Sequence, residues 1–191
     1  MNICLFGSSS EQLEQQYLDA AYEMGRCIAE HGHALIFGGG DKGVMGAAAR
    51  GARSLGGAVI GIAPRFFNVN GILFEDCTEF YFTETMAERK TLMEEKSEAF
   101  IAAPGGFGTL EEFFEVLTLK QLGRHNPAIA VLNTGGFFDP MMEMIRRTVA
   151  NGFAKEGALQ IFRVFGSPAP VLNYLERFDP NAFDVRHLKN L

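Results

Sequence analysis

AFIAAPGGFGTLEE, Ala99 to Glu112, is the stretch whose reading sets the fold. Its opening AFIAA is apolar and has the length of a strand, and the residues after Thr109 carry the apolar spacing of an amphipathic helix. A glycine-rich loop joins the two. In parallel α/β proteins such a junction takes up anions, because the free N–H groups and positive dipole of the helix point at the loop. Gly105, Gly106 and Gly108 are expected to take φ > 0 and let a ligand approach the backbone. Thr109 is expected to cap the helix, with Glu112 at the T-x-x-E spacing of a capping box. A carboxylate less than one turn from an anion loop is also where a catalytic group would stand.

Outward from this stretch, short β-rich runs alternate with longer helical patterns along almost the whole chain. The runs are NICLF from Asn2, ALIF from Ala34, AVIGI from Ala58, EFYFT from Glu79, AFIAA from Ala99, AIAVL from Ala128 and IFRVF from Ile161. Between the first two, Leu13, Tyr17, Ala20, Met24, Cys27 and Ile28 recur at helical spacing. This order predicts an α/β, Rossmann-like, doubly wound parallel sheet of about seven strands with helices on both faces. Residues 1–191 read as one nucleotide-binding domain, with a polar tail over 178–191 expected to pack late or fray. The segment PRFFNVNGILFED from Pro64 is too apolar for a plain surface loop and is expected to be a lid or a subunit contact.

In such a sheet the loops leaving the strand carboxyl ends share one rim, where ligands bind. GSSS at Gly7 to Ser10, GGGDKG at Gly38 to Gly43 and PGGFGT at Pro104 to Thr109 are predicted to meet there. The helix beginning near Met86 starts on the same rim, with Arg89 and Lys90 in its first turns. Arg89 shares a stripe with Met86 and Met93, which alone would read as a snorkelling surface residue. Its place opposite the glycine loop and Glu112 makes it a site candidate.

Several chemistries are excluded. GGGDKG satisfies G-x-G-x-x-G, yet the third strand ends in GIAPR with no acidic residue for a ribose diol, which argues against NAD. The P-loop form and the G-x-S-x-G elbow are both missing. Small-residue loops around a mononucleotide are the simpler reading. The net charge of -6 disfavours a nucleic-acid polymer or an anionic membrane as partner. No apolar run reaches the roughly 18 to 20 residues that cross a bilayer, and the start MNICLFGSSS lacks the pattern of a signal peptide, so a cytoplasmic location is expected. Cys4, Cys27 and Cys77, and His31, His33, His125 and His187, are too scattered to suggest a disulfide framework or a metal site.

With these motifs in place, the sequence resembles the LONELY GUY (LOG) family of phosphoribohydrolases, which release cytokinin bases from their riboside 5′-monophosphates. Pro104 to Glu112 meets the family pattern P-G-G-x-G-T-x-x-E in full, and Met86 to Lys90 meets M-x-x-R-K. GGGDKGVMG from Gly38 is similar to the family's second-strand loop, and the resemblance runs from Asn2 to about Arg177. It implies that Arg89 and Glu112 form the catalytic pair and that Met86 and Lys90 stand near the substrate. It further implies that Gly105, Gly106, Phe107, Gly108 and Thr109 hold the 5′-phosphate, while Ser8, Ser9, Gly39 and Gly40 complete the pocket. A nucleoside 5′-monophosphate substrate, no metal or organic cofactor, and a homodimer are implied as well. The segment from Arg65 to Glu84 departs from the plant members, which leaves the base open. Related proteins have been labelled lysine decarboxylases, though nothing in this sequence suggests a pyridoxal phosphate site. Two alternatives stay open: a broader nucleoside 5′-monophosphate nucleosidase, and a non-catalytic molybdenum-cofactor carrier, which would have no need to keep both Arg89 and Glu112.

Overall fold

The computed structural model describes residues 1–182 and residue 188. The strands are β1 (Asn2–Phe6), β2 (Ala34–Phe37), β3 (Val59–Pro64), β4 (Glu79–Thr83), β5 (Ala99–Ala102), β6 (Ala128–Leu132) and β7 (Arg163–Phe165). The helices are α1 (Gln15–Glu30), α2 (Gly43–Ser54), α3 (Met86–Lys96), α4 (Phe107–Gln121), α5 (Asp139–Ala150) and α6 (Pro168–Arg177). All seven strands are parallel, in the order β4-β3-β2-β1-β5-β6-β7. The doubly wound α/β fold expected from the alternation is the fold observed.

Side chains alternate across the strands, and each set meets its own layer of helices. Ile3, Leu5, Leu35, Phe37, Ile101 and Leu132 pack with α1, α2 and α6. Cys4, Phe6, Ile36, Ile62, Phe100 and Val131 pack on the other face with α3, α4 and α5. Helices α1 and α2 lie so close that a Cβ at Gly25 would fall 1.9 Å from the Ala48 carbonyl oxygen, and one at Gly51 1.9 Å from that of Tyr22. Winding reverses between β1 and β5, where Ile3 pairs with Ala99 and Phe6 with Ala102. The loops after these two strands therefore part to opposite faces and leave a crevice at the carboxyl edge.

Three strands differ in their bounds from expectation: β5 ends at Ala102 rather than Ala103, and β3 and β7 differ by more. β3 runs on to Pro64, which pairs with Thr83 of β4. β7 starts only at Arg163, because Ile161 and Phe162 turn inward and fill the core beneath α4 and α5. At the tail, Phe178 packs on Tyr174, and Leu188 is buried in the α3–α5 layer. Within the segment expected to fray, residues 183–187, His187 among them, and 189–191 lie outside the described residues. No helix among the described residues is long and apolar enough to cross a membrane.

Candidate active site

Helix α3 starts where β4 ends, and its start is fixed locally. Thr85 Oγ1 accepts from the Glu88 N–H at 3.1 Å, while the Glu88 carboxylate accepts from the Glu84 N–H at 2.9 Å, a reciprocal cap. The next residue, Arg89, then points under the loop that follows β2. Its Nε donates to the Ile62 carbonyl at 3.1 Å and its Nη1 to Glu112 Oε1 at 2.7 Å. A Cβ on Gly38 would lie 2.1 Å from Arg89 Nη2, so the first glycine of the GGGDKG loop is the space that the guanidinium occupies.

Glu112 reaches this point from α4. The helix starts at Phe107, and Gly106, in extended conformation at φ -89° and ψ -156°, is its N-cap without a side-chain bond. Thr109 is thus inside the first turn, not at the cap, and the expected capping box does not form. Its side chain is buried under Gly105, where a Cβ would fall 2.1 Å from Thr109 Oγ1. Glu112, freed from capping, bonds Arg89 instead. The φ > 0 expected for Gly105, Gly106 and Gly108 is also not found: the left-handed glycines among the described residues are elsewhere. Gly106 and Gly108 instead face open space, so that a ligand can come against the first turn, whose N–H groups have no carbonyl within the helix.

Arg89 is 6% exposed and Glu112 9%. Burial pushes the Glu112 carboxyl above the usual carboxylate range, and the Arg89 guanidinium opposes that rise. The two causes pull against each other, and burial is the larger. Cys4, beneath the pair on β1, is held protonated by burial and by the Glu112 charge.

The pair forms the floor of a cavity of about 400 Å3. One wall is the β1 loop, Gly7 to Ser10, with Gly38, Gly40 and Met45 beside it. Ser8 knits this wall together: its N–H donates to the Pro104 carbonyl at 3.1 Å and its own carbonyl accepts from the Met45 N–H at 3.2 Å. Opposite stand Gly106, Gly108 and Thr109, and an apolar side is made by Phe67, Ile72, Leu73 and Met86. The segment from Pro64 is strapped to the glycine loop by main-chain bonds, Asp41 N–H to the Ile72 carbonyl and Phe74 N–H to the Gly39 carbonyl, each 2.9 Å. A larger cavity, about 810 Å3, lies beside β7 and α6 among Arg163, Tyr174 and Arg177, and the described residues that line it include no buried acid–guanidinium pair.

Of the residues singled out from sequence, the cavity brings together Ser8, Ser9, Gly40, Met86, Arg89, Gly106, Gly108, Thr109 and Glu112. Four stand elsewhere. Gly39 packs against the Phe80 ring, Gly105 lies behind the loop against Thr109, and Phe107 is 93% exposed at the tip of α4. Lys90 pairs with Glu111 and Glu115. Sequence reasoning missed Met45, Phe67, Ile72 and Leu73 as cavity residues; the apolar excess of the Pro64 segment was the available signal. Elsewhere, His31 and His33 share the Glu176 carboxylate, and His125 bonds the Val116 carbonyl. Among the described residues no cluster of three or more His, Cys, Asp or Glu could hold a metal ion.

Fold and site together define a parallel α/β protein with a buried acid–guanidinium pair at the carboxyl edge of its sheet. A family model described as "Possible lysine decarboxylase" matches residues 45–175. The chain is 36% identical over 178 residues to the cytokinin riboside 5′-monophosphate phosphoribohydrolase LOG of Oryza sativa subsp. japonica, covering 93% of this chain and 74% of that one. It is 35% identical over 182 residues to the cytokinin riboside 5′-monophosphate phosphoribohydrolase LOG2 of Arabidopsis thaliana, covering 95% and 85%. Among solved structures, the molybdenum cofactor carrier protein of Chlamydomonas reinhardtii superposes with a TM-score of 0.70 at 23% identity, covering 92% of this chain and 96% of that one. The molybdenum cofactor binding protein of Rippkaea orientalis gives 0.69 at 21%, covering 92% and 93%. At that identity the likeness is one of fold. The chain belongs to the LOG family. Pyridoxal phosphate chemistry uses a lysine amine, and none of the described residues that line the cavity is a lysine.

Proposed function

We propose that this protein hydrolyses the N-glycosidic bond of N6-modified adenosine 5′-monophosphate, releasing the free cytokinin base and ribose 5-phosphate. The observation that carries the reading is the buried Arg89–Glu112 pair, set at the floor of a cavity whose far wall is the open first turn of α4. The 5′-phosphate would seat against Gly106, Gly108 and Thr109, where helix dipole and free N–H groups favour an anion. It would thereby fix the ribose over Glu112.

Cleavage of the bond from the anomeric carbon to the base nitrogen develops positive charge on the sugar. The electron pair of the broken bond leaves with the base. Glu112 carries the complementary charge and accepts a proton from the attacking water, whose oxygen bonds to the anomeric carbon. Arg89 opposes the rise that burial causes in Glu112, favouring its ionised form, and its hydrogen bond aims the carboxylate. Protonation of the departing base completes the balance, with water divided between the two products. The apolar side formed by Phe67, Ile72, Leu73 and Met86 favours a base with a hydrocarbon N6 substituent over plain adenine.

The test is kcat/KM for adenosine, AMP, ATP and their N6-isopentenyl counterparts, with and without EDTA, following free base and ribose 5-phosphate. Each charge-assisted bond to the phosphate is worth about 1.5 to 3 kcal/mol, so two or three of them make nucleosides poorer substrates by several orders of magnitude. N6-isopentenyl-AMP is expected to be the best substrate, with activity indifferent to EDTA. Nucleosides cleaved as fast as monophosphates, or loss of activity in EDTA, would refute the mechanism. Binding of nucleotides without any release of base would return the carrier reading.

A further inference from the structure

We infer that Lys90 is a positioning residue: by bridging Glu111 and Glu115 it holds α3 and α4 in the register at which Arg89 meets Glu112. The catalytic consequence rests on the hydrolase reading above. The geometry does not.

Successive residues on a helix point about 100° apart, so Arg89 and Lys90 cannot serve the same surface. Arg89 turns inward to Ile62 and Glu112, whereas Lys90 turns along the side of α3 that faces α4. There its ammonium lies 2.9 Å from Glu115 Oε2 and also bonds Glu111 Oε1. Glu111 and Glu115 are four residues apart, hence one above the other on α4, and they flank Glu112 in sequence. Lys90 is half-buried between them and takes no part in the cavity wall.

The two helices rest on different parts of the sheet and share β1. α3 packs chiefly on β3 and β4, and α4 on β1 and β5. The bond from Arg89 to Glu112 alone would let either helix turn about it. A second bridge, one residue on along α3 and one residue back along α4, removes that freedom: 89 meets 112 inside and 90 meets 111 outside. The bridge to Glu115 fixes the height as well.

The charged and titratable groups around Glu112 are Arg89, Lys90 and Glu94 from α3, Glu111 and Glu115 from α4, and Cys4 from β1. After burial and Arg89, Glu111 pushes the Glu112 carboxyl up and Lys90 draws it down. Removing Lys90 must therefore move the acid limb of kcat/KM to higher pH, and removing the charge of Glu111 must move it to lower pH. A purely electrostatic role makes the two changes opposite in effect. A positioning role makes both lower kcat on the plateau.

The experiment compares wild type, Lys90→Met, Lys90→Arg and the double variant Glu111→Gln/Glu115→Gln in N6-isopentenyl-AMP hydrolysis across pH. Hydrogen exchange at the Arg89 Nε–H is read by NMR in the substrate-free proteins. Expected is a fall in plateau kcat of about 10-fold in both Lys90→Met and the double variant, below the roughly 10²-fold that a 1 Å misplacement can cost, with KM within about twofold. Lys90→Arg, which keeps the bridging charge, restores at least about half of kcat. The Arg89 Nε–H exchanges faster in the two disrupted proteins. A rise in KM alone for Lys90→Met, with the double variant behaving as wild type, overturns the inference in favour of a direct substrate contact. If wild type releases no base from any nucleotide, the hydrolase reading falls, and Arg89 exchange still decides: faster exchange in both variants upholds the clamp and unchanged exchange overturns it.

Discussion

Replacing Glu112 by Gln separates charge from shape. Gln keeps the side-chain frame and an oxygen that can still accept from Arg89 Nη1, now 2.7 Å away, so the local packing of α3 on α4 has no reason to change. The substitution removes the single negative charge at the floor of a site that is closed to solvent on that side. A positioned acid or base contributes about 10²- to 10⁴-fold, which is about 2.7 to 5.4 kcal/mol of barrier at about 1.36 kcal/mol per tenfold. The loss should appear in kcat, with KM within about threefold, because the loops proposed to hold the phosphate are untouched. Arg89→Met strips Glu112 of the largest influence opposing its burial, so the acid limb moves to higher pH, and the unpaired buried carboxylate costs about 3 to 5 kcal/mol of stability. Arg89→Met/Glu112→Gln should regain melting temperature while its kcat falls no further than that of the poorer single variant, since residues acting as a unit are not additive. The assay is chromatographic detection of free base under saturating N6-isopentenyl-AMP, with thermal melts as the control on folding. A Glu112→Gln protein retaining more than about a tenth of wild-type kcat would remove Glu112 from the chemistry.

The glycines of the loop should divide by role. Gly105→Ala drives a methyl into Thr109 and should lower stability by about 1 to 3 kcal/mol, whereas Gly106→Ala meets no atom within 4 Å, should melt like wild type, and should weaken inorganic phosphate binding in calorimetry. The reverse ranking would show that the loop is read wrongly. Lys120, buried on α4 with its ammonium bonded to the Pro127 carbonyl, is lowered to about 8 by burial and by Arg163. The folded chain binds this proton less tightly than the unfolded chain, so wild type should gain stability relative to Lys120→Met as pH rises from about 8 towards about 10.4 in urea melts, and a flat difference would contradict that environment. Phe66, Phe107 and Phe114 are exposed, and we propose that a second copy of the chain covers them. Light scattering at micromolar concentration should give a dimer, and a monomer mass would reject it.

Much of the site was legible because the features concerned are local. The end of a strand, a run of glycines and a helix start fix where an anion can bind, whichever strands lie beside them, so Gly106, Gly108 and Glu112 could be named from Pro104 to Glu112 alone. Parallel topology adds that loops after β1, β2 and β5 share an edge, which placed Ser8 and Gly40 beside them. Thr109 shows where local logic failed. Its spacing to Glu112 satisfies a capping box, but the backbone turned helical two residues earlier, and a guanidinium from another helix offered Glu112 a stronger partner than a backbone N–H.

The sequence by itself determined the alternation of buried strands and amphipathic helices, and with it a doubly wound sheet, since hydrophobic period is a property of neighbouring residues. It also determined the residue types available for chemistry at the carboxyl edge. Only the tertiary structure decided which of them meet. Arg89 and Glu112 are 23 residues apart in the chain and touch because winding reverses between β1 and β5, bringing α3 and α4 onto one face. Gly38 is small because that guanidinium lies against it, and Lys90 faces Glu111 and Glu115 rather than the cavity because a helix turns each residue about 100° from the last. Such pairings depend on strand order and helix rotation, which packing energies summed over the whole core select and which no short stretch of sequence encodes.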